Sequence, residues 1–144
     1  FIGKERLTAQ RTQVQTVEEI MNPDPVTVTG DVSLSEAIRI MKQKRVDSLL
    51  VIDEDGQLVG YIDFGIISEA RSRPLTVSEV MIRNVFKVER GTFVRDTMQT
   101  ILKRGLKYVP IVDEDNRLVG IITRSNLVDV VYDSIWGDVE TESM

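Results

Sequence analysis

Gly120-Ile121-Ile122-Thr123-Arg124-Ser125-Asn126 is the stretch of this chain best supplied for chemistry. An apolar run gives way there to a hydroxyl, a guanidinium and an amide, the pattern of a strand passing into a helix. Unpaired N–H groups and the dipole at a helix start favour an anion. Arg124 adds charge-assisted hydrogen bonds of the kind a phosphate accepts. Thr123 also suits the role of a plain N-cap, and the two roles are compatible. Tyr108, at the entrance of the preceding strand, offers a ring on which a nucleobase could stack, worth on the order of 1–3 kcal/mol. Ordinary half-buried packing with a wet hydroxyl is the alternative for Tyr108.

All of this is chemistry of binding. The chain contains no Cys and no His. Thiol nucleophiles, Cys/His zinc sites and the commonest general base are therefore missing, and no carboxylate pair replaces them. Neither a catalytic residue nor a metal ligand is assigned. Asp53-Glu54-Asp55-Gly56 and Asp113-Glu114-Asp115-Asn116 lack the loop length and closing Glu of a calcium-binding hand and read as turns.

The elements that must position these residues are written twice. Val51-Ile52-Asp53-Glu54-Asp55-Gly56-Gln57-Leu58-Val59-Gly60 returns sixty residues later as Ile111-Val112-Asp113-Glu114-Asp115-Asn116-Arg117-Leu118-Val119-Gly120. The same offset carries Thr16-Val17-Glu18-Glu19-Ile20-Met21 onto Thr76-Val77-Ser78-Glu79-Val80-Met81 without a gap. A period of this length suits two copies of a compact α/β module. Each copy reads helix–strand–helix–strand–strand–helix. Thr16–Glu19 and Ser33–Glu36 have the capping-box spacing, and Pro23 and Pro25 force an extended chain into a strand at Val26–Val28. A helix follows with Leu34, Ala37, Ile38 and Met41 on one face. Strands are expected at Ser48–Ile52 and Leu58–Ile62, apolar enough to be covered on both sides, then a helix over Gly65–Ala70. In the second copy the corresponding elements are a strand at Phe86–Val88 and a helix with Val94, Met98, Ile101 and Leu102 inward. Strands at Lys107–Val112 and Leu118–Ile122 and a helix from Arg124 to Ile135 complete it. One copy alone leaves a sheet face bare, so the two copies are expected to pack sheet against sheet with pseudo-two-fold symmetry.

The boundaries expected on this pattern are a linker over 1–15, modules over 16–73 and 74–135, and an acidic tail over 136–144. The chain opens on Phe1 with no apolar leader, and reads as part of a longer protein. No apolar run is long enough to span a bilayer. The lack of Cys points weakly to a cytosol. With a net charge of −5 and pI near 4.8, a nucleic-acid partner is disfavoured. The charge is unequally shared: residues 17–70 carry four basic and eleven acidic side chains, residues 77–130 nine and seven. An anion should prefer the second copy.

The apolar-Asp-x-Asp-x-x-Leu-Val-Gly-x-Ile run near the end of each repeat, with this order of elements, resembles the cystathionine β-synthase (CBS) domain pair. Phe1-Ile2-Gly3-Lys4-Glu5-Arg6-Leu7 and Ile135-Trp136-Gly137-Asp138 resemble the flanks of that pair in the C-terminal regulatory region of ATP-binding subunits of bacterial glycine betaine/carnitine/choline ABC transporters. No phosphate loop of an ATPase lies within this sequence.

The resemblance implies an α/β (α+β) pair of CBS modules, a homodimer, and an adenosine ligand in clefts between modules. In nucleotide-binding modules a Gly-x-Ile-Thr-x-x-Asp segment meets phosphate through Thr and ribose through Asp. Here Thr123 matches, while Asn126 stands at the Asp position and forfeits the charge. Asp63 and Ile66 stand at the two positions in the first copy, where a carboxylate would cap a helix and repel phosphate. For this transporter subfamily the resemblance implies cyclic di-AMP as regulatory ligand, with Val26, Val46, Ser48, Tyr108, Ile121, Thr123 and Arg124 as its contacts and with no other cofactor. It further implies an upstream ATPase domain, transporter permease subunits beyond it, and a place at the cytoplasmic face of the plasma membrane. AMP or ATP in the Thr123 cleft, and a ligand-free dimerisation or ionic-strength-sensing module, are the alternatives.

Overall fold

A computed structural model describes residues 15–70 and 75–132. The expected linker up to residue 14, the Arg71–Pro74 connection and everything from residue 133 lie outside the described residues. The first repeat runs α1 (Val17–Ile20), β1 (Thr27–Val28), α2 (Leu34–Lys44), β2 (Ser48–Ile52), β3 (Leu58–Asp63) and α3 (Phe64–Glu69). The second runs α4 (Val77–Val80), β4 (Val88–Glu89), α5 (Val94–Arg104), β5 (Tyr108–Val112), β6 (Leu118–Thr123) and α6 (Arg124–Tyr132). The strands form two three-stranded sheets, ordered β1-β2-β3 and β4-β5-β6. In the first sheet β1 is parallel to β2, and β3 antiparallel to it with Ser48 opposite Asp63.

Local signals account for the helix ends. The Thr16 and Thr76 N–H groups donate to the Glu19 and Glu79 carboxylates three residues on, at 3.0 and 2.9 Å. At α2 the Ser33 hydroxyl accepts from Glu36 N–H (3.2 Å), but the Glu36 carboxylate turns to Arg39 instead of closing the box. The two predicted turns form as expected: the Asp53 and Asp113 carboxylates each accept two backbone N–H bonds, all 2.9 Å. Gly56 and Asn116 take the left-handed position that each turn requires (φ 81° and 64°).

Three expectations need correction. Ile38 and Leu102, placed on inward helix faces, are 39% and 73% exposed. The buried stripes are narrower, Leu34/Ala37/Met41 and Val94/Thr97/Ile101, so positions four and eight after the first fall on the flank. Of the strands read as covered on both faces, β2 and β5 are buried through their centres, whereas β3 alternates buried and half-buried residues. β3 is an edge strand, and an edge is covered less fully than the middle. The short strand of the second repeat sits at Val88–Glu89, beyond Phe86.

The chain falls into two compact units that do not follow the repeats. Among the described residues, one comprises 24–70, 75–86 and 112–118, the other 15–23, 87–111 and 119–132. The core of the first unit joins Leu34, Ala37 and Met41 to Leu49, Val51, Ile62 and Ile67, and takes in Val77 from α4 of the second repeat. The second unit takes in α1 of the first repeat: Val17 N–H donates to the Thr92 carbonyl (2.9 Å), and Asn22 and Ile121 exchange backbone bonds. Each repeat thus lends its first helix to the other's sheet.

Candidate functional site

In the second unit the chain leaves β6 through Thr123 and enters α6 at Arg124. Thr123 N–H and hydroxyl both donate to the Asn126 side-chain oxygen, at 2.8 and 3.0 Å, and Asn126 N–H returns to the hydroxyl at 3.5 Å. A backbone N–H can only donate, so the amide oxygen, not its nitrogen, faces Thr123. This is a reciprocal cap of α6. Asn126 therefore holds the helix start together, a role the sequence does not announce.

Arg124 is exposed. Its backbone N–H donates to the Lys107 carbonyl (3.3 Å) and its Nε to the Leu106 carbonyl (3.1 Å). The guanidinium is thereby steered to the turn that delivers Tyr108 into β5, with its other N–H donors uncommitted to that turn. Tyr108 and Ile121 are half-buried on neighbouring strands. Tyr108, Ile121, Thr123 and Arg124 are thus brought together in one unit.

Val26, Val46 and Ser48 belong to the other unit. The Val26 carbonyl accepts from Leu50 N–H (3.3 Å), and Val26 and Val46 pack half-buried against its core. Ser48 opens β2 opposite Asp63. At the junction beside it, Asp63 caps α3 through Ile66 N–H and takes the Tyr61 hydroxyl on its second oxygen, both at 2.8 Å. Burial, and secondarily the Asp63 hydrogen bond, push the Tyr61 hydroxyl well above its ordinary pKa. The carboxylate is spent on the protein itself.

An apolar groove of about 390 Å³ lies between α5 and α6, lined by Met98, Leu102, Val128, Val131 and Tyr132 together with Arg124. Val128 is 64% exposed. The residues sixty positions earlier, Lys42 for Leu102 and Ser68 for Val128, are polar. Comparing the repeats position by position could have revealed this face; reading Leu102 as core concealed it.

A helix–strand–helix–strand–strand–helix module repeated at this spacing is the architecture of a CBS pair. The CBS domain family model matches residues 17–72 and 77–133, and the chain belongs to that family. It is 51% identical, over its whole length, to the glycine betaine/carnitine/choline transport ATP-binding protein OpuCA of Bacillus subtilis, and spans 38% of that protein. Among solved structures, Staphylococcus aureus OpuCA superposes with a TM-score of 0.75 at 39% identity, over 81% of this chain and 99% of that one. CBSX2 in complex with AMP gives the same TM-score at 25% identity, over 82% and 96%. The chain is thus a tandem CBS pair similar to that of Opu-type transport ATP-binding proteins. Among the described residues no helix is long and apolar enough to cross a membrane.

Proposed function

We propose that this chain is the ligand-sensing regulatory part of an osmolyte-uptake ABC transporter ATP-binding subunit. Its modules are residues 16–73 and 74–135; it carries out no catalysis itself, and it works as a homodimer that binds cyclic di-AMP and thereby lowers transport. The subunit then stands at the cytoplasmic face of the plasma membrane, joined through its ATPase domain to the permease subunits. The observation that carries the ligand reading is the Arg124 guanidinium, held by the Leu106 carbonyl beside the strand that begins with Tyr108. Arg124 supplies a phosphate partner, Tyr108 a stacking platform and Ile121 an apolar contact from the neighbouring strand, while Thr123 fixes the helix start. A two-fold-symmetric dinucleotide needs one platform and one phosphate partner per protomer, and a two-fold dimer supplies each twice. The exposed apolar groove of α5 and α6, which Arg124 also lines, supports a dimer through that face.

A mononucleotide ligand is the second reading, favoured by the AMP complex of CBSX2. Asn126 weighs against it: with its oxygen accepting from Thr123 twice, it cannot readily accept from a ribose diol as well.

Thermal unfolding with cyclic di-AMP, AMP and ATP decides between them. A ligand present at 100 times its dissociation constant adds about 2.7 kcal/mol to the native state. Stabilisation by cyclic di-AMP that disappears in Tyr108→Ala and Arg124→Ala is the expected result. If both variants keep full affinity, the site is misplaced. Stabilisation by AMP or ATP alone favours the mononucleotide, and none at all favours a dimerisation or ionic-strength module.

A further inference from the structure

The first segment of the described chain pairs with β6 two residues before Thr123. Its downstream end lies on β6, where Asn22 N–H donates to Ile121 O at 2.8 Å and Ile121 N–H to Asn22 O at 2.9 Å. One residue before each partner, the Met21 thioether occupies the place a side chain on Gly120 would need, and Asn22 O lies 2.9 Å from it. The upstream end is pinned at the start of α5. Val94 N–H donates to Gln15 O (2.8 Å), Val17 N–H to Thr92 O (2.9 Å), and Gly91 N–H to the Glu18 carboxylate (2.9 Å). Residues 15–22 thus bridge α5 and β6, and their last bonds fall two residues before Thr123.

We infer that Met21 and Asn22 are positioning residues for the Thr123–Arg124 site. Segment 15–22 and the bound ligand then share one structural element, β6. The inference rests on the ligand reading of the preceding subsection and adds a route by which binding is felt where the chain enters the unit. Ile121 cannot shift relative to Asn22 without straining two backbone bonds and the Met21–Gly120 contact. Closely packed contacts of this kind switch between arrangements and do not stretch. Linkage is reciprocal: whatever binding does to segment 15–22, disturbing that segment must do to binding by the same factor.

The molecule contains its own control. Met81 meets Gly60 in the same way, and Ile82 pairs with Tyr61 as Asn22 does with Ile121. That second contact lies in the other unit, on the strand ending at Asp63. The variants Met21→Ala, Met21→Leu and Met81→Ala of this chain are compared by amide exchange without ligand and by affinity for cyclic di-AMP. Met21→Ala is expected to speed exchange at Thr123 N–H and to weaken cyclic di-AMP about tenfold. Met21→Leu should restore both. Met81→Ala should lower the unfolding temperature comparably yet leave both unchanged. If the two alanine variants alter Thr123 exchange equally, or Met21→Ala alters neither quantity, the inference is overturned. If the parent chain does not bind cyclic di-AMP, the ligand reading falls, and the exchange comparison still decides the positioning role.

Discussion

The two repeats follow one backbone plan and part company where a ligand or partner could be met. At the junction of β3 and α3, Asp63 spends both carboxylate oxygens, on Ile66 N–H and on the Tyr61 hydroxyl. Sixty residues later Thr123 and Asn126 close a neutral cap, and Arg124 replaces Phe64. On the neighbouring helices, Lys42 and Ser68 become Leu102 and Val128. The first copy is acidic and satisfied within itself at its junction; the second is basic there and apolar beside it. A fold tolerates either, because none of these side chains carries the core. One frame thus carries two differently furnished junctions.

The largest effect should come from giving the second copy the junction of the first. Thr123→Asp should preserve the cap, since Asp63 caps α3, but place a carboxylate next to Arg124, the proposed phosphate partner. The chain should unfold at nearly its usual temperature, while the stabilisation by cyclic di-AMP, about 2.7 kcal/mol at 100 times the dissociation constant, should vanish. Calorimetry with and without ligand measures this. Retained stabilisation would show that phosphate is bound elsewhere.

Leu102→Lys tests the apolar face by installing the residue type of the first copy. At an exposed position the folding cost should stay within about 0.5 kcal/mol. Self-association, followed by sedimentation, should weaken at least tenfold, about 1.4 kcal/mol. A dimer of undiminished strength would place the interface on another surface.

The smallest effect concerns helix ends. Arg45 ends α2 in the left-handed conformation (φ 57°), where α5 uses Gly105 (φ 65°). Arg45→Gly relieves roughly 1 kcal/mol of backbone strain and returns part of it as unfolded-chain entropy. Thermal unfolding should rise by one or two degrees, about 0.5 kcal/mol in stability. A fall would mean that the Arg45 side chain contributes more than its backbone costs.

Much of this was legible in the chain itself. The sixty-residue offset, the Thr16 and Thr76 capping boxes, the Asp53 and Asp113 turns and the order of elements are all encoded within a few residues of where they act. The junction residues Thr123 and Arg124 and the contrast with Asp63 could likewise be read off by aligning one repeat with the other. The role of Asn126 could not, and that of Leu102 shows only against its polar counterpart Lys42. Whether an amide caps or contacts a ligand depends on which hydrogen bonds its neighbours leave open. Whether a leucine is core or surface depends on how wide a stripe its helix buries.

Two α/β repeats, their caps and turns, and the electrostatic difference between their junctions follow from residue order alone, because local hydrogen bonding and periodicity decide those matters. Long-range packing sets α1 against the second sheet and α4 against the first, leans Arg124 on the Leu106 carbonyl, and leaves Leu102 and Val128 in the open. Those outcomes arise from pairings between residues distant along the chain, such as Asn22 with Ile121, roughly a hundred residues apart. No local pattern records them, since a backbone N–H presents the same donor to any carbonyl that packing brings within reach.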